Sequence, residues 1–305
     1  MKPVKPITPA LLLGAILALG APLARANLNV LACEPEWAAL TQALAGDQAR
    51  VVSATSARQD PHHIEARPSL IARARGADLI VCNGAELEVG WMPLLQRESG
   101  NPRIQPGRPG YFEAARYVRM LERPTRIDRS QGDIHPEGNP HLVSDPRNLL
   151  KVADALAQRL GELDPAHAAD FAARNRRFQA DMCAAIARWE QRAAGLRGVA
   201  VVVHHKNWSY LADWLGLRVV ADVEPKPGID PSAAFLAELL ERLKAQPAKA
   251  ILHAAYQSPK ADEWLGQRAG IPALELPYTV GGSPAATDLF GLYDDTLAKL
   301  LAALK

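Results

Sequence analysis

Cysteine is scarce in this chain: three residues in 305, too few for a disulfide-stapled scaffold or a four-cysteine zinc site. Neither sign of charge is in excess, with 35 Lys and Arg against 33 Asp and Glu. No basic block stands out, so nucleic acid is excluded as a natural partner. No apolar run reaches the ~20 residues that cross a bilayer. Enzyme signatures are missing as well: there is no H-E-x-x-H, no G-x-S-x-G and no G-x-x-x-x-G-K-[ST]. What is present, 48% hydrophobic and 22% charged residues, is the balance of an ordinary globular protein with a real core, one large or two modest domains.

The N-terminus reads as an address. Lys2 and Lys5 precede a short apolar run from Ala10 to Leu19, followed by Ala24-Arg25-Ala26. That is the order of a secretory signal peptide, residues 1–26, with an A-x-A cleavage site. No cysteine lies near the cut, which argues against lipid attachment there. Export makes Cys33 and Cys82 candidates for a disulfide, because each ends a short apolar run that reads as a buried strand. The alternative is that all three thiols are buried as small hydrophobes.

Past residue 26, strand-like and helix-like runs alternate. Expected strands are Asn29–Cys33, Arg50–Ala54, Asp78–Asn83 and Arg116–Met120, then Val199–His204, Arg218–Asp222, Lys249–His253 and Ala273–Leu276. They are apolar without strict alternation, as strands covered on both faces should be. Helices are expected over Pro35–Leu44, Pro68–Arg75, Pro146–Leu160 and Ser232–Ala245. Ala166–Ala194 contains no Gly or Pro and reads as one long helix. The fold class is therefore α/β: two Rossmann-like (βα) lobes, 27–145 and 197–305, joined by the connecting helices of 146–196 acting as a rigid strut.

Six of the eight histidines fall in three places: His62-His63, His135 with His141, and His204-His205. Each follows a strand or closes a lobe, and ligands in open α/β sheets bind beyond the carboxyl ends of the strands. Three converging imidazoles suit a borderline-soft ion such as zinc. Adjacent residues on extended backbone point to opposite sides, so at most one His of each pair should reach a given ion.

Those residues also resemble a known family, the periplasmic solute-binding proteins of metal-uptake ABC transporters, in their zinc branch. DPHHIEARPS (Asp60–Ser69) is similar to the family's D-P-H motif and GNPHLVSDP (Gly138–Pro146) to its N-P-H motif. HHKNWSYLADWLGL with EPKPGIDPS (His204–Ser232) resembles the third-ligand segment, and VGGSPAATDLFGLYDD (Val280–Asp295) the segment that delivers an acidic ligand. The resemblance implies metal ligands His62, His141 and His205, the last because Trp208 stands three residues after it. It implies Asp288 as the fourth, with Asp294 and Asp295 as neighbouring alternatives. His135, in a loop that is short for this family, is a candidate auxiliary ligand. Ile64, Val143 and Ser144 depart from the family's usual residues.

The resemblance thus implies a protein that captures Zn2+ in the periplasm and delivers it to an ABC permease in the inner membrane, as a monomer, without being an enzyme. A periplasmic metal donor is a candidate second partner. Three nitrogens and one oxygen favour zinc over the harder manganese ion, which is the alternative cargo. The competing classes are a secreted zinc hydrolase, which would keep one position for water, and a binder of an organic chelate in the same cleft.

Overall fold

The computed structural model describes residues 27–126 and 132–304; the expected signal peptide lies outside the described residues. The chain opens with β1 (Leu28–Ala32), α1 (Pro35–Ala45), β2 (Ala49–Ser53), α2 (Pro68–Arg75), β3 (Leu79–Cys82), α3 (Met92–Ser99) and β4 (Tyr111–Glu113). Two helices follow, α4 (Pro146–Leu163) and α5 (Ala168–Ala193). The second half runs β5 (Ala200–Val203), α6 (Ser209–Leu215), β6 (Arg218–Asp222), α7 (Ala233–Ala245), β7 (Ile251–Ala254), α8 (Lys260–Ala269), β8 (Ala273–Leu276) and α9 (Leu289–Leu304). Among the described residues no helix is long and apolar enough to cross a membrane.

Both halves build a four-stranded parallel sheet of the same order, β2-β1-β3-β4 and β6-β5-β7-β8. In each, the first strand lies between its two successors, so the chain leaves it in opposite directions. The crevice at that reversal is where α/β sheets bind ligands. β3 and β5 are buried at every position, which explains their Val, Ile, Leu and Ala composition.

One expected strand is displaced. The fourth strand of the first sheet is Tyr111–Glu113, paired with Ile80–Cys82, and the expected Arg116–Met120 is instead a 3-10 turn over Ala114–Tyr117 and extended chain beyond it. The cause is Gly110, whose missing side chain lets the backbone lie against the carbonyls of Asp78 and Arg103, where a Cβ would collide. Pairing therefore starts immediately after it.

The lobes share a core. One apolar cluster runs from Leu28 and Val30 of β1 through Leu156, Phe171, Met182 and Trp189 of α4 and α5 to Val201 of β5 and Leu297 of α9. Smaller clusters cover the outer faces, Leu70 and Leu95 on the first sheet and Leu239 and Leu265 on the second. At 26 residues and ~1.5 Å each, α5 is about 39 Å long, enough to pass both sheets. Because the central cluster is continuous, wide opening of the lobes would expose core. Such a joint favours local rearrangement over a large hinge.

Polar ties also cross between the lobes. Arg58 donates to the carbonyl of Ala255 at 2.9 Å, and the Thr279 hydroxyl donates to Glu36 at 2.5 Å. Burial pushes the Glu36 carboxyl up to about 7. A carboxyl whose folded value lies above its unfolded one stabilises fully below about 4.5, and that contribution is lost as pH rises through about 7. Glu36→Gln, which stays neutral, should therefore gain melting temperature relative to the parent protein between about pH 5 and pH 8. Parallel melting curves across that range would show that Glu36 stays ionised.

Candidate metal centre

The site grows from two copies of one local device. In Asp60-Pro61-His62, Asp60 Oδ1 accepts both the backbone N–H of His62 at 3.0 Å and its ring Nδ1–H at 2.7 Å. In Asn139-Pro140-His141, Asn139 Oδ1 accepts the same two groups of His141 at 2.9 and 2.8 Å. An Asx side chain bonding two residues ahead is a turn-forming habit, and here the same oxygen also fixes the imidazole. Even the prolines match: the Pro61 carbonyl accepts from Trp91 Nε1 at 2.9 Å and the Pro140 carbonyl from Asn83 Nδ2 at 2.7 Å.

The third ring is held differently. His205 follows β5, and its Nδ1–H donates to Glu224 Oε2 at 2.7 Å; the same oxygen accepts the backbone N–H of Gly228 at 2.8 Å. Carboxylate and amide oxygens only accept, so in all three histidines the proton sits on Nδ1 and the lone pair on Nε2. The Nε2 atoms of His62 and His141 are buried with no hydrogen-bond partner.

The three rings face one another. Their centroids are 5.3 Å apart for His62 and His141, 5.0 Å for His141 and His205, and 5.6 Å for His62 and His205. One ring nitrogen of each lies within 4.8 Å of the others. Tetrahedral zinc with bonds of about 2.0 Å holds its nitrogens roughly 3.3 Å apart, so closing onto an ion takes rotamer-scale movement. Burial, then the neighbouring rings of His205, His62 and His135, hold His141 neutral well below the ordinary histidine range. A neutral imidazole is the form that ligates.

The adjacent pairs divide as extended backbone requires. His63 turns outward with 65% of its side chain exposed, 3.6 Å from Asp133. His204 turns into the second lobe, where Nδ1 lies 2.8 Å from the fully buried Asp262. His135, in the loop before His141, lies beside the three without joining them, its ring 5.3 Å from His62 and 6.3 Å from His141.

Asp288 is not brought to the three histidines. It stands exposed at the start of α9, where Oδ1 accepts the Gly291 N–H at 2.8 Å. Asp294 pairs with Arg192 at 2.7 Å, and Asp295 accepts from Ser283 at 2.7 Å. Cys33 and Cys82, one residue past β1 and at the end of β3, are joined by a disulfide with Cα atoms 4.8 Å apart; Cys183 is free. Beside that bridge lie three buried carboxyls that the sequence did not single out. Glu34 is raised well above its ordinary value by burial and then by Glu88 and Glu36, and burial pushes Glu88 up to about 7. Asp60 and Asn139 sit inside the quoted motifs, so their positions were visible even though their role as ring holders was not.

The family profile described as zinc-uptake complex component A, periplasmic (ZnuA) matches residues 30–303. The chain belongs to the ZnuA family. Among curated proteins, the zinc-binding lipoprotein AdcA of Streptococcus pneumoniae is 25% identical over 276 residues, 87% of this chain and 52% of AdcA. The chain thus spans about half the length of that relative. The high-affinity zinc uptake system protein ZnuA of Bacillus subtilis is 23% identical, over 81% of this chain and 76% of its own. Shorter matches, to 48% and 46% of the chain, are to proteins named for manganese and iron. A crystal structure of ZnuA superposes with a TM-score of 0.75 at 21% identity, covering 92% of this chain and all of that one. The family is one of solute-binding proteins of ABC transporters, not of enzymes.

Because Asp60 and Asn139 each hold a candidate ligand ring by its far nitrogen, Asp60→Ala and Asn139→Ala should each weaken metal binding by about 10–100-fold while leaving one ion per chain. Competition titration against a chromogenic chelator measures this, and unchanged affinity in both variants would remove the proposed role of the motif's first residue.

Proposed function

We propose that this protein captures a single zinc ion between its lobes through His62, His141 and His205 and carries it, as cargo, to an ABC permease in the inner membrane. The observation that carries this reading is the convergence of three buried imidazoles whose Nδ1 protons are each committed to an acceptor. That donor set is nitrogen-rich and borderline-soft, which favours zinc over manganese. The family and the zinc-named relatives support the same cargo. Export by the N-terminal signal, a periplasmic location, monomeric action and loading from a periplasmic donor belong to this proposal.

In binding, the ion replaces water with Nε2 lone pairs that the fold already points inward. His62 enters from the loop after β2, His141 from the segment before α4 and His205 from the end of β5, so the ion bridges the two halves. Asn139 reinforces the bridge: besides holding His141, its Nδ2 lies 2.9 Å from the Lys206 carbonyl and 3.1 Å from Ser209 Oγ. Ligand capture therefore tightens contacts that already cross the cleft.

Stripping the protein with chelator and reloading it with equimolar zinc and manganese should return one zinc per chain and little manganese by elemental analysis. Preferential manganese would reverse the cargo assignment, and no retained metal would end the transport reading. The Cys33–Cys82 bridge is proposed to form in the exported protein. Thiol alkylation should then label one cysteine before reduction and three after, and Cys33→Ala with Cys82→Ala should lower stability by about 2–4 kcal/mol.

A further inference from the structure

The segment that follows Cys82 touches both Asx-Pro-His motifs. At its start Asn83 Nδ2 donates to the Pro140 carbonyl at 2.7 Å. At its end Trp91 Nε1 donates to the Pro61 carbonyl at 2.9 Å. Residues 83–91 therefore act as one clamp on the middle residue of Asp60-Pro61-His62 and of Asn139-Pro140-His141. Gly90 presses closest: a Cβ there would stand 3.0 Å from the His62 carbonyl. Asn83 and Trp91 are both buried, so losing either contact would not be offset by water.

This clamp is rooted in the disulfide. Cys33 and Cys82 continue the parallel register of β1 and β3, in which Ala32 faces Val81, and the Cys33 N–H donates to the Val81 carbonyl at 2.8 Å. The Cys33 carbonyl accepts the N–H and the hydroxyl of Thr55 at 3.2 and 2.9 Å, where the chain leaves β2 for His62. Inside the clamp, Glu88 accepts the Asn83 and Gly84 N–H groups at 2.7 and 3.1 Å, and one of its oxygens lies within 4.8 Å of both sulfurs. Ala85 and Glu86 take φ of 53° and 63° in the same turn, a backbone that persists only while its surroundings enforce it. The bridge fixes the residue from which that turn starts.

We propose that the Cys33–Cys82 bridge is a thiol-redox control of the metal centre: closed, it roots the clamp that holds the His62 and His141 motifs; opened by a dithiol, it lets the clamp loosen and zinc affinity fall. This rests on the three-histidine reading above and adds its regulation. Opening is ordinary thiol–disulfide exchange. A reductant thiolate attacks one sulfur, the other leaves and takes up a proton, and the reductant's second thiol displaces the mixed disulfide. Two electrons and two protons pass to Cys33 and Cys82, and the reductant departs oxidised. Glu88 and its neighbour Glu34 place carboxyl groups rather than a cation beside the sulfurs, so the opened pair rests as two thiols. A chain whose bridge has not formed, or has been reduced, thus captures zinc weakly.

The test compares the full chain in two redox states. Zinc affinity is measured by chelator competition on the oxidised protein and on protein reduced with a phosphine, which is removed anaerobically before titration. Thiol counting should give one free cysteine in the first and three in the second. Affinity should be about tenfold or more lower in the reduced protein, and regained when glutathione disulfide re-forms the bridge. The doubly substituted Cys33→Ala, Cys82→Ala chain should match the reduced value and ignore the phosphine. Asn83→Ala should lower the oxidised affinity and shrink the redox difference. Circular dichroism follows folding throughout, and unfolding on reduction would make the bridge purely structural and overturn the proposal. Equal affinity in the two states would overturn it, as would a redox difference that survives in the double variant, which would belong to Cys183. A second zinc per reduced chain, taken by Cys33, Cys82 and Glu88 with the first site unchanged, would overturn it too. If the oxidised parent takes up no zinc, the three-histidine reading itself fails; if it binds one zinc and reduction changes nothing, only the redox control fails.

Discussion

Everything at the metal centre depends on where three protons sit. Asp60, Asn139 and Glu224 each take the Nδ1–H of one histidine, and that single choice turns three ordinary rings into a set of inward lone pairs. Without the acceptors each imidazole could change tautomer or rotate, and convergence would be an accident of side-chain position. With them, orientation is imposed from outside the site by groups that are themselves tied to the backbone. Asp60 and Asn139 also accept their histidine's own N–H, so ring and main chain are locked by one oxygen. This is why the proline between them matters: it fixes the turn that lets one oxygen reach both donors.

The scaffold keeps that arrangement by resisting motion. The core that includes β1, α5 and β5 is a single cluster, and Asn139, Tyr210 and Thr279 add polar contacts across the cleft. Tyr210 donates to the Asn139 carbonyl at 2.8 Å while accepting the Leu121 N–H at 3.0 Å, so the segment carrying His141 is anchored to the lobe carrying His205. At the cleft itself the two lobes meet through loops, the Asp133 N–H donating to the Pro227 carbonyl at 3.0 Å. Strain is concentrated nearby as well. Ala85 and Glu86 hold φ of 53° and 63° directly after Gly84, and Glu88 holds that turn by accepting the N–H groups of Asn83 and Gly84 at 2.7 and 3.1 Å. Left-handed non-glycine residues persist only where surroundings over-determine them.

The sequence was informative wherever a feature was local. Uninterrupted apolar runs marked strands buried on both faces, the absence of Gly and Pro marked α5, and the alternation of extended backbone predicted that the two histidines of each adjacent pair face different surroundings, as His63 and His204 do. It was silent where meaning came from distant partners. Arg116–Met120 carries strand-like residues, but pairing begins at Tyr111 because Gly110 can approach two remote carbonyls. Asp288 sits in a segment that resembles an acidic-ligand motif, yet its oxygen caps the helix it precedes. Glu34, Glu36 and Glu88 look like surface charges in the sequence and are buried beside a disulfide. No local pattern distinguishes a solvated glutamate from one whose carboxyl is raised by burial.

Those buried groups bear on the proposed capture of an ion. The Nε2 atoms of His62 and His141 are buried without a protein hydrogen-bond partner, and a buried polar atom left unpaired is costly. The shared core supplies the stability that tolerates it. When an ion enters, the ligating atoms gain a partner without first losing water or changing tautomer, so little of the coordination energy is lost to reorganisation. A site assembled from solvated, rotating histidines would lack that advantage at every ligand.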